Sequence, residues 1–316
     1  MKLLIGAVSV SNPEYSMIHD EARKTFSTVV LNPYGRPLLQ EEVEELWVDC
    51  DAVICGVEKI TAEMLSRAPT SLKVLSKHGV GVDSIDLEAA KAARIAVCNT
   101  PGANAQAVAE ATIGLMFAAM RNIPNAHHSV VSGRWKRPEG SLIRGKTLGV
   151  IGMGSIGKQV IAYSQGFGLN YLAYDPFFDA AFAAEHRVQN RSIEEILEQA
   201  DIITLHLPCN EATYHLINHK TLAAMKRSAI LINTARGDLI DEGDLYDALQ
   251  QKVIAFAAID VLAKEPTYES PLFGLENIII TPHLSGNTKE TTIVMGMRAL
   301  HNAVAIINGT DANRVV

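Results

Sequence analysis

The chain is poor in everything that would staple it, anchor it in a lipid bilayer or give it a basic face. Its 316 residues include only four cysteines, Cys50, Cys55, Cys98 and Cys209, scattered without a C-x-x-C pair. That spacing supplies neither a disulfide framework nor a zinc site, so no metal is expected, and it fits reduced thiols in a cytoplasmic protein. No apolar run approaches the roughly 18 residues of a membrane-spanning helix, so no membrane partner is expected. The N-terminal segment Met1–Ile5 reads as a first buried strand; it lacks the apolar region and small-residue cleavage site of a signal peptide. No basic block occurs. Lys and Arg number 28 against 35 Asp and Glu, a net charge of −7, which argues against a nucleic-acid partner. Short-period repeats and low-complexity tracts are missing too. What remains is 48% hydrophobic and 20% charged, the composition of a globular protein of about two domains.

Strand-length apolar runs alternate with helical patterns almost throughout, the rhythm of an α/β protein with mostly parallel sheets. Strands are expected at Leu3–Val8, Ser27–Leu31, Ala52–Cys55, Lys73–Ser76 and Ile95–Cys98, enough for a sheet of their own. Asn99 to Ala103 breaks the pattern, and Asn104 to Arg121 reads as one long helix. Arg134 to Arg144 is polar and irregular, with Trp135 among basic residues, a surface excursion suited to a partner. Further strands follow at Thr147–Ile151, Asn170–Tyr174, Asp201–His206, Ala229–Asn233, Ile254–Ile259 and Asn277–Thr281. Ser192 to Glu195 is a capping box. A long last helix, Asn287 to Ile307, has too little chain around it to form a domain. Packing it on the N-terminal sheet would bury its apolar face. Residues 1–98 plus 286–316 are therefore expected to form one domain and 99–285 an inserted second one, with a ligand cleft between them.

The middle of the chain carries Gly152-x-Gly154-x-x-Gly157 between an expected strand and an expected helix. In that context the pattern reads as a dinucleotide fingerprint: a tight turn, room for a pyrophosphate against the backbone, and close helix–strand packing. The helix start at Ser155 and Ile156 would offer N–H groups and a positive dipole end to the phosphates. Asp175 closes the next strand 18 residues after Gly157, near the spacing of an acid that holds a ribose hydroxyl. Pro176, Phe177 and Phe178 follow, with no cation for a 2′-phosphate, so NAD is expected rather than NADP.

Three side chains stand after strands, where open α/β sheets bind ligands. Arg236 follows Ala229–Asn233, Glu265 follows Ile254–Ile259, and His283 follows Asn277–Thr281. A histidine can move a hydroxyl proton near neutral pH. A carboxylate beside it favours the imidazolium, and an arginine grips a carboxylate through two parallel hydrogen bonds. Together they suggest hydride exchange with a 2-hydroxy acid. Most of the ten histidines will be structural; His206, also at a strand end, competes best with His283 but reads as lining the cofactor side. A second glycine turn, Gly79 to Asp83, is either a tight connection or an anion nest.

These segments together resemble the D-isomer-specific 2-hydroxyacid dehydrogenase family, nearly end to end. The resemblance rests on Gly79–Asp83, Asn99-Thr100-Pro101, Ala107–Glu110, the fingerprint, Asn233–Gly237, Ala258–Val261, Glu265-Pro266 and Thr281-Pro282-His283. It implies a Rossmann NAD-binding domain inserted into a flavodoxin-like substrate domain. Arg236, Glu265 and His283 would be catalytic, with the Val80 and Gly81 N–H groups and Arg236 on the substrate carboxylate. It further implies Asp260 on the nicotinamide amide, Leu207 and Pro208 at the adenosine end, and Thr234, Ala235 and Gly286 near the nicotinamide. Members are usually homodimers built on the NAD-binding domain.

Val57–Thr61 and His283–Glu290 are most similar to the phosphoglycerate dehydrogenase branch. There are departures. Cys55 stands about where that branch has a phosphate-binding arginine, leaving Lys59, Lys77 and His78 as substitutes, and Gly286-Asn287 differs from the usual residues. The sequence ends at Val316, short of the regulatory domains of longer members, so serine feedback is not expected. The expected substrates are small 2-hydroxy or 2-keto acids such as 3-phosphoglycerate, hydroxypyruvate or glyoxylate. A non-catalytic NAD-sensing module would be expected to lose the arginine–glutamate–histidine set, and formate oxidation would call for glutamine in place of Glu265.

Overall fold

The computed structural model of the chain describes residues 1–310 and 312–316. Two compact units emerge: Met1–Asn104 with Asn287–Val316, and Ala105–Gly286. Both are α/β units built on one parallel sheet.

The first unit contains β1 (Lys2–Ile5), β2 (Thr28–Leu31), β3 (Ala52–Cys55), β4 (Val74–Lys77) and β5 (Ala96–Cys98). Their order is β2-β1-β3-β4-β5, all parallel, the flavodoxin-like arrangement. Successive side chains on a strand leave by opposite faces. Leu4, Val53, Cys55, Leu75 and Val97 accordingly fill one core with Trp47 and Met64. Leu3, Ile5, Ala52, Ile54 and Val74 fill the other, which the last helix closes with Ala299, Leu300 and Ala303. That helix, Lys289–Ile307, is capped by Thr288. It is fastened by the buried Ser76 hydroxyl, which donates to the Ala299 carbonyl at 2.7 Å. Beyond it, the chain pairs with β5 through Val315 N–H to Val97 O at 2.7 Å, covering an edge that would otherwise be open. Val8, expected to end the first strand, instead opens the one-turn helix Val8–Ser11. The strand ends at Ile5, whose carbonyl accepts both Asn32 N–H at 2.9 Å and the Ser11 hydroxyl at 2.7 Å.

The second unit contains β6 (Thr147–Ile151), β7 (Asn170–Tyr174), β8 (Val188–Asn190), β9 (Ile202–Leu205), β10 (Ile230–Asn233), β11 (Phe256–Ile259) and β12 (Ile278–Ile280). The order is β12-β11-β10-β9-β6-β7-β8, the doubly wound pattern with its reversal between β6 and β9. β8 was not anticipated: Gln189 and Asn190 are exposed, and a polar edge strand has no apolar alternation to betray it. The helices Ala105–Met120 and Ser155–Ser164 cover one face through residues such as Met116 and Ile161. The helices Ile193–Gln199 and Glu242–Gln250 cover the other through Ile196 and Leu245. The Ser192–Glu195 capping box forms in both directions. Residues 134–144 are irregular, and Trp135 is 73% exposed. No helix among the described residues is long and apolar enough to cross a membrane.

Candidate active site

The pairing of the second sheet explains why scattered residues meet. Tyr174, Ile151, Leu205, Asn233, Ile259 and Ile280 are partners in register across β7, β6, β9, β10, β11 and β12. The next residue on each strand is therefore Asp175, Gly152, His206, Thr234, Asp260 and Thr281, one row along the carboxyl edge. Open α/β sheets bind ligands outside this edge. The left of the row holds the glycine turn, and the right holds the arginine, glutamate and histidine.

At the glycine turn the backbone leaves no choice of residue at two positions. Gly152 has φ +100°, and a Cβ there would come within 2.6 Å of the His206 backbone. A Cβ at Gly157 would collide with the Gly152 carbonyl oxygen. Gly154 is different: a Cβ there would meet nothing within 4 Å among the described residues, so the space beside it is open to a ligand. Gly154 also caps the helix Ser155–Ser164 without a side chain. The first-turn N–H groups of Ser155, Ile156 and Gly157 are thus left to an anion. Asp175 ties the turn to β7, accepting from Met153 N–H at 2.7 Å and Phe177 N–H at 2.8 Å. Each carboxylate oxygen keeps a second lone pair for a sugar hydroxyl. These features fit the diphosphate and ribose of a dinucleotide.

His206 bonds through Nε2 with Thr204 Oγ1 at 3.0 Å, while its buried Nδ1 meets no partner among the described residues. Burial pulls the ring down to about 3, so it stays neutral and is no general acid near neutrality. Leu207 is buried and Pro208 exposed beside it.

His283 is placed differently. Its Nδ1 lies 2.6 Å from Glu265 Oε2, and its side chain is 54% exposed. The hydrogen bond it donates to Glu265 raises its pKa against the opposing effect of burial, helped by the charges of Glu265 and Asp260. Burial pushes Glu265 upward, but the hydrogen bonds from His283 and from Leu262 N–H outweigh it and hold the carboxyl below its ordinary value. The loop that presents His283 hangs on Asp260, which is 1% exposed. Asp260 accepts from Thr281 Oγ1 at 2.5 Å, Leu284 N–H at 2.9 Å and Ser285 N–H at 2.8 Å. Its carbonyl also takes His283 N–H at 2.9 Å. His283 itself sits at φ +52°, a left-handed conformation that needs such support. This fastening of the histidine loop has no trace in the spacing of the sequence.

Asn233 builds the turn for Arg236, donating from Nδ2 to the Arg236 carbonyl at 2.8 Å and accepting from Ala235 N–H at 3.0 Å. The Thr234 and Thr112 hydroxyls lie 3.0 Å apart beneath it. The guanidinium of Arg236 donates to the Ala235 carbonyl at 2.7 Å and carries its charge close enough to lower His283 slightly against the stronger upward pull of Glu265. Gly286 ends this unit.

Val80 and Gly81 belong to the first unit, in the turn after β4. Lys77 is buried, and its ammonium donates to the Gly56 carbonyl and to Ser84 Oγ at 3.0 Å. His78 bonds the Thr292 carbonyl at 3.3 Å, and burial lowers it to about 4. Neither side chain is therefore a ready phosphate ligand, while Lys59 is exposed. Cys55 is buried and pushed up to about 12. Glu58, passed over in the sequence, is buried and accepts Gly56 N–H at 2.5 Å.

A doubly wound unit with a glycine turn at the sheet reversal and an acid one strand over is a dinucleotide-binding domain. Residues 113–285 match the NAD-binding domain of the D-isomer specific 2-hydroxyacid dehydrogenases, and the chain belongs to that family, in its phosphoglycerate dehydrogenase branch. It is 41% identical to a D-3-phosphoglycerate dehydrogenase of Methanocaldococcus jannaschii over 95% of this chain and 58% of that protein. Among solved structures it resembles a glyoxylate reductase from Paecilomyes thermophila, with TM-score 0.87, 30% identity and coverage of 100% and 98% of the two chains. It also resembles a D-lactate dehydrogenase with NAD+ from Lactobacillus jensenii, with TM-score 0.80, 29% identity and coverage of 100% and 99%. The chain spans about half the length of the curated relatives it matches.

Proposed function

We propose that this chain exchanges a hydride between NAD(H) and a D-2-hydroxy acid or its 2-keto acid. The observation that carries the reading is the 2.6 Å pair of His283 and Glu265, set on the same sheet edge as the Arg236 turn and the glycine turn. The bound nicotinamide supplies or accepts the hydride. In the reducing direction, Glu265 holds the imidazolium through Nδ1, and Nε2 gives its proton to the keto oxygen, so that hydride and proton together make the hydroxy acid. In oxidation the neutral ring takes that proton back. Arg236 pairs with the substrate carboxylate, and in the first unit the Val80 and Gly81 N–H groups are assigned to a carboxylate. Ser155, Ile156 and Gly157 N–H groups take the diphosphate, with Asp175 on the adenosine ribose. Leu207 and Pro208 would border the adenosine, and Thr234, Ala235, Asp260 and Gly286 would border the nicotinamide.

Relatives named for 3-phosphoglycerate and for glyoxylate frame the choice of substrate. With Cys55 buried and Lys77 and His78 engaged elsewhere, the unphosphorylated acids glyoxylate and hydroxypyruvate are favoured over 3-phosphoglycerate. Asp175 favours NAD, because a 2′-phosphate would face its charge. A homodimer through the NAD-binding unit is supported by the exposed Val131, Trp135 and Leu142; sedimentation of the purified chain as a monomer would remove that part. No disulfide joins Cys50, Cys55, Cys98 or Cys209 among the described residues, in keeping with a cytoplasmic setting.

The deciding experiment is NADH oxidation by the wild type and His283→Ala with a panel of 2-keto acids. Loss of general acid catalysis should cost about 10²- to 10⁴-fold in kcat, with NADH binding retained. Undiminished turnover by the variant would sink the assignment.

A further inference from the structure

We infer that Asn99 is a positioning residue for substrate: by gripping the Val80 carbonyl it turns the Gly81 N–H outward as a carboxylate donor. The inference rests on the dehydrogenase reading for the identity of the ligand; its geometry lies wholly within the first unit.

A trans peptide is planar, with its C=O and N–H directed to opposite sides. Fixing the carbonyl therefore fixes the donor. Asn99 Nδ2 donates to the Val80 carbonyl at 2.8 Å, so the N–H of Gly81 leaves on the side away from Asn99. One peptide earlier, Thr100 N–H donates to the Gly79 carbonyl at 3.0 Å, which sends the Val80 N–H away from the same segment. Two successive carbonyls are thus held by residues 99 and 100, and two successive N–H groups are released from them as an anion nest. Neither N–H has a partner among the described residues.

Asn99 has little freedom to do otherwise. Its own N–H donates to the Asn313 carbonyl at 3.1 Å, and its carbonyl accepts Asn302 Nδ2 at 2.8 Å. Asn302 Oδ1 in turn accepts Asn313 Nδ2 at 3.1 Å. The far end of the turn is held as well, by Lys77 on Ser84 Oγ at 3.0 Å and by Ile60 N–H on the Ser84 carbonyl at 2.8 Å. With both ends tied, the middle peptides are set by the two bonds from residues 99 and 100. The Thr100 bond comes from backbone and survives any substitution. The Asn99 bond needs a short side chain with an N–H donor: leucine has the size without the donor, and serine lacks the reach.

The test compares the full-length wild type with Asn99→Leu and Asn99→Ser. Glyoxylate reduction is measured at saturating NADH, oxalate binding by calorimetry as a carboxylate probe, and NADH binding by fluorescence. Loss of one hydrogen bond to a charged group should raise KM and the oxalate Kd together, about ten- to a hundredfold. The kcat should stay within about threefold, and the NADH Kd should not move. Unchanged KM and oxalate Kd overturn the inference, as does a rise matched by an equal weakening of NADH, which would mark general loosening. If Asn99→Leu does not fold, Asn99→Ser decides alone. If the wild type itself turns over no 2-keto acid, the dehydrogenase reading falls; oxalate binding lost in the serine variant would still uphold the nest, and binding retained would overturn it.

Discussion

Glu265 Oε2 lies 2.6 Å from His283 Nδ1, and the contact moves the two groups apart on the pH scale. His283 is raised above its ordinary 6.5 and Glu265 lowered below 4.5. The raised histidine stabilises the fold below its unfolded pKa, and that contribution is lost as pH rises through the folded value. The lowered glutamate contributes above its unfolded pKa and loses its part as pH falls through the folded value. Both contributions are present together between about 4.5 and 6.5. For catalysis the histidine sets the order. Keto-acid reduction needs the imidazolium and should decline as pH climbs through the raised pKa; oxidation needs the neutral ring and should rise there.

Glu265→Gln keeps the shape and removes the charge. The midpoint of the reduction profile should therefore shift to lower pH, and reduction above neutrality should fall disproportionately. Rates of kcat/KM against pH for both proteins check this. An unshifted midpoint would mean that Glu265 does not set the histidine's proton affinity.

Asp260→Asn should damage the site without touching His283. The buried carboxylate receives a hydroxyl and two backbone N–H groups, and an amide would turn its own NH₂ toward at least one of those donors. A loss of about 1–3 kcal/mol in urea unfolding is expected for a buried group left unsatisfied. The kcat should fall as the His283 loop loosens. Full stability combined with full activity would show that the loop stands without this anchor.

Asp175→Ala should weaken NADH about ten- to a hundredfold, the effect of one hydrogen bond to a charged acceptor. It should weaken NADPH less, because the repulsion of a 2′-phosphate is removed with the carboxylate. Fluorescence titration with both nucleotides measures the ratio of the two constants. A ratio equal to that of the wild type would separate Asp175 from cofactor choice.

The glycine turn was legible because its constraints are local. Gly152 and Gly157 are dictated by collisions with the adjoining backbone, and Asp175 follows from strand length. The Ser192–Glu195 cap and strands such as Ala52–Cys55 and Asn170–Tyr174 were legible for the same reason. Arg236, Glu265 and His283 could be nominated because each follows a strand. The histidine competition could not be resolved by position: His206 and His283 both end strands, and only burial of the first and the carboxylate beside the second separate them.

The sequence by itself determined the alternation of strands and helices, the dinucleotide turn and the candidate residues, because periodicity, turn chemistry and spacing act over a few residues at a time. Tertiary structure alone decided which groups meet. Parallel register across six strands set Asp260 against Thr281 and Ser285, and brought Glu265 to His283. The return of the last helix to the first sheet gave Ser76 its partner and held Asn99 against Asn302. Ser76 and Ala299 are 223 positions apart. Such contacts depend on how whole sheets and helices pack, which no local pattern encodes.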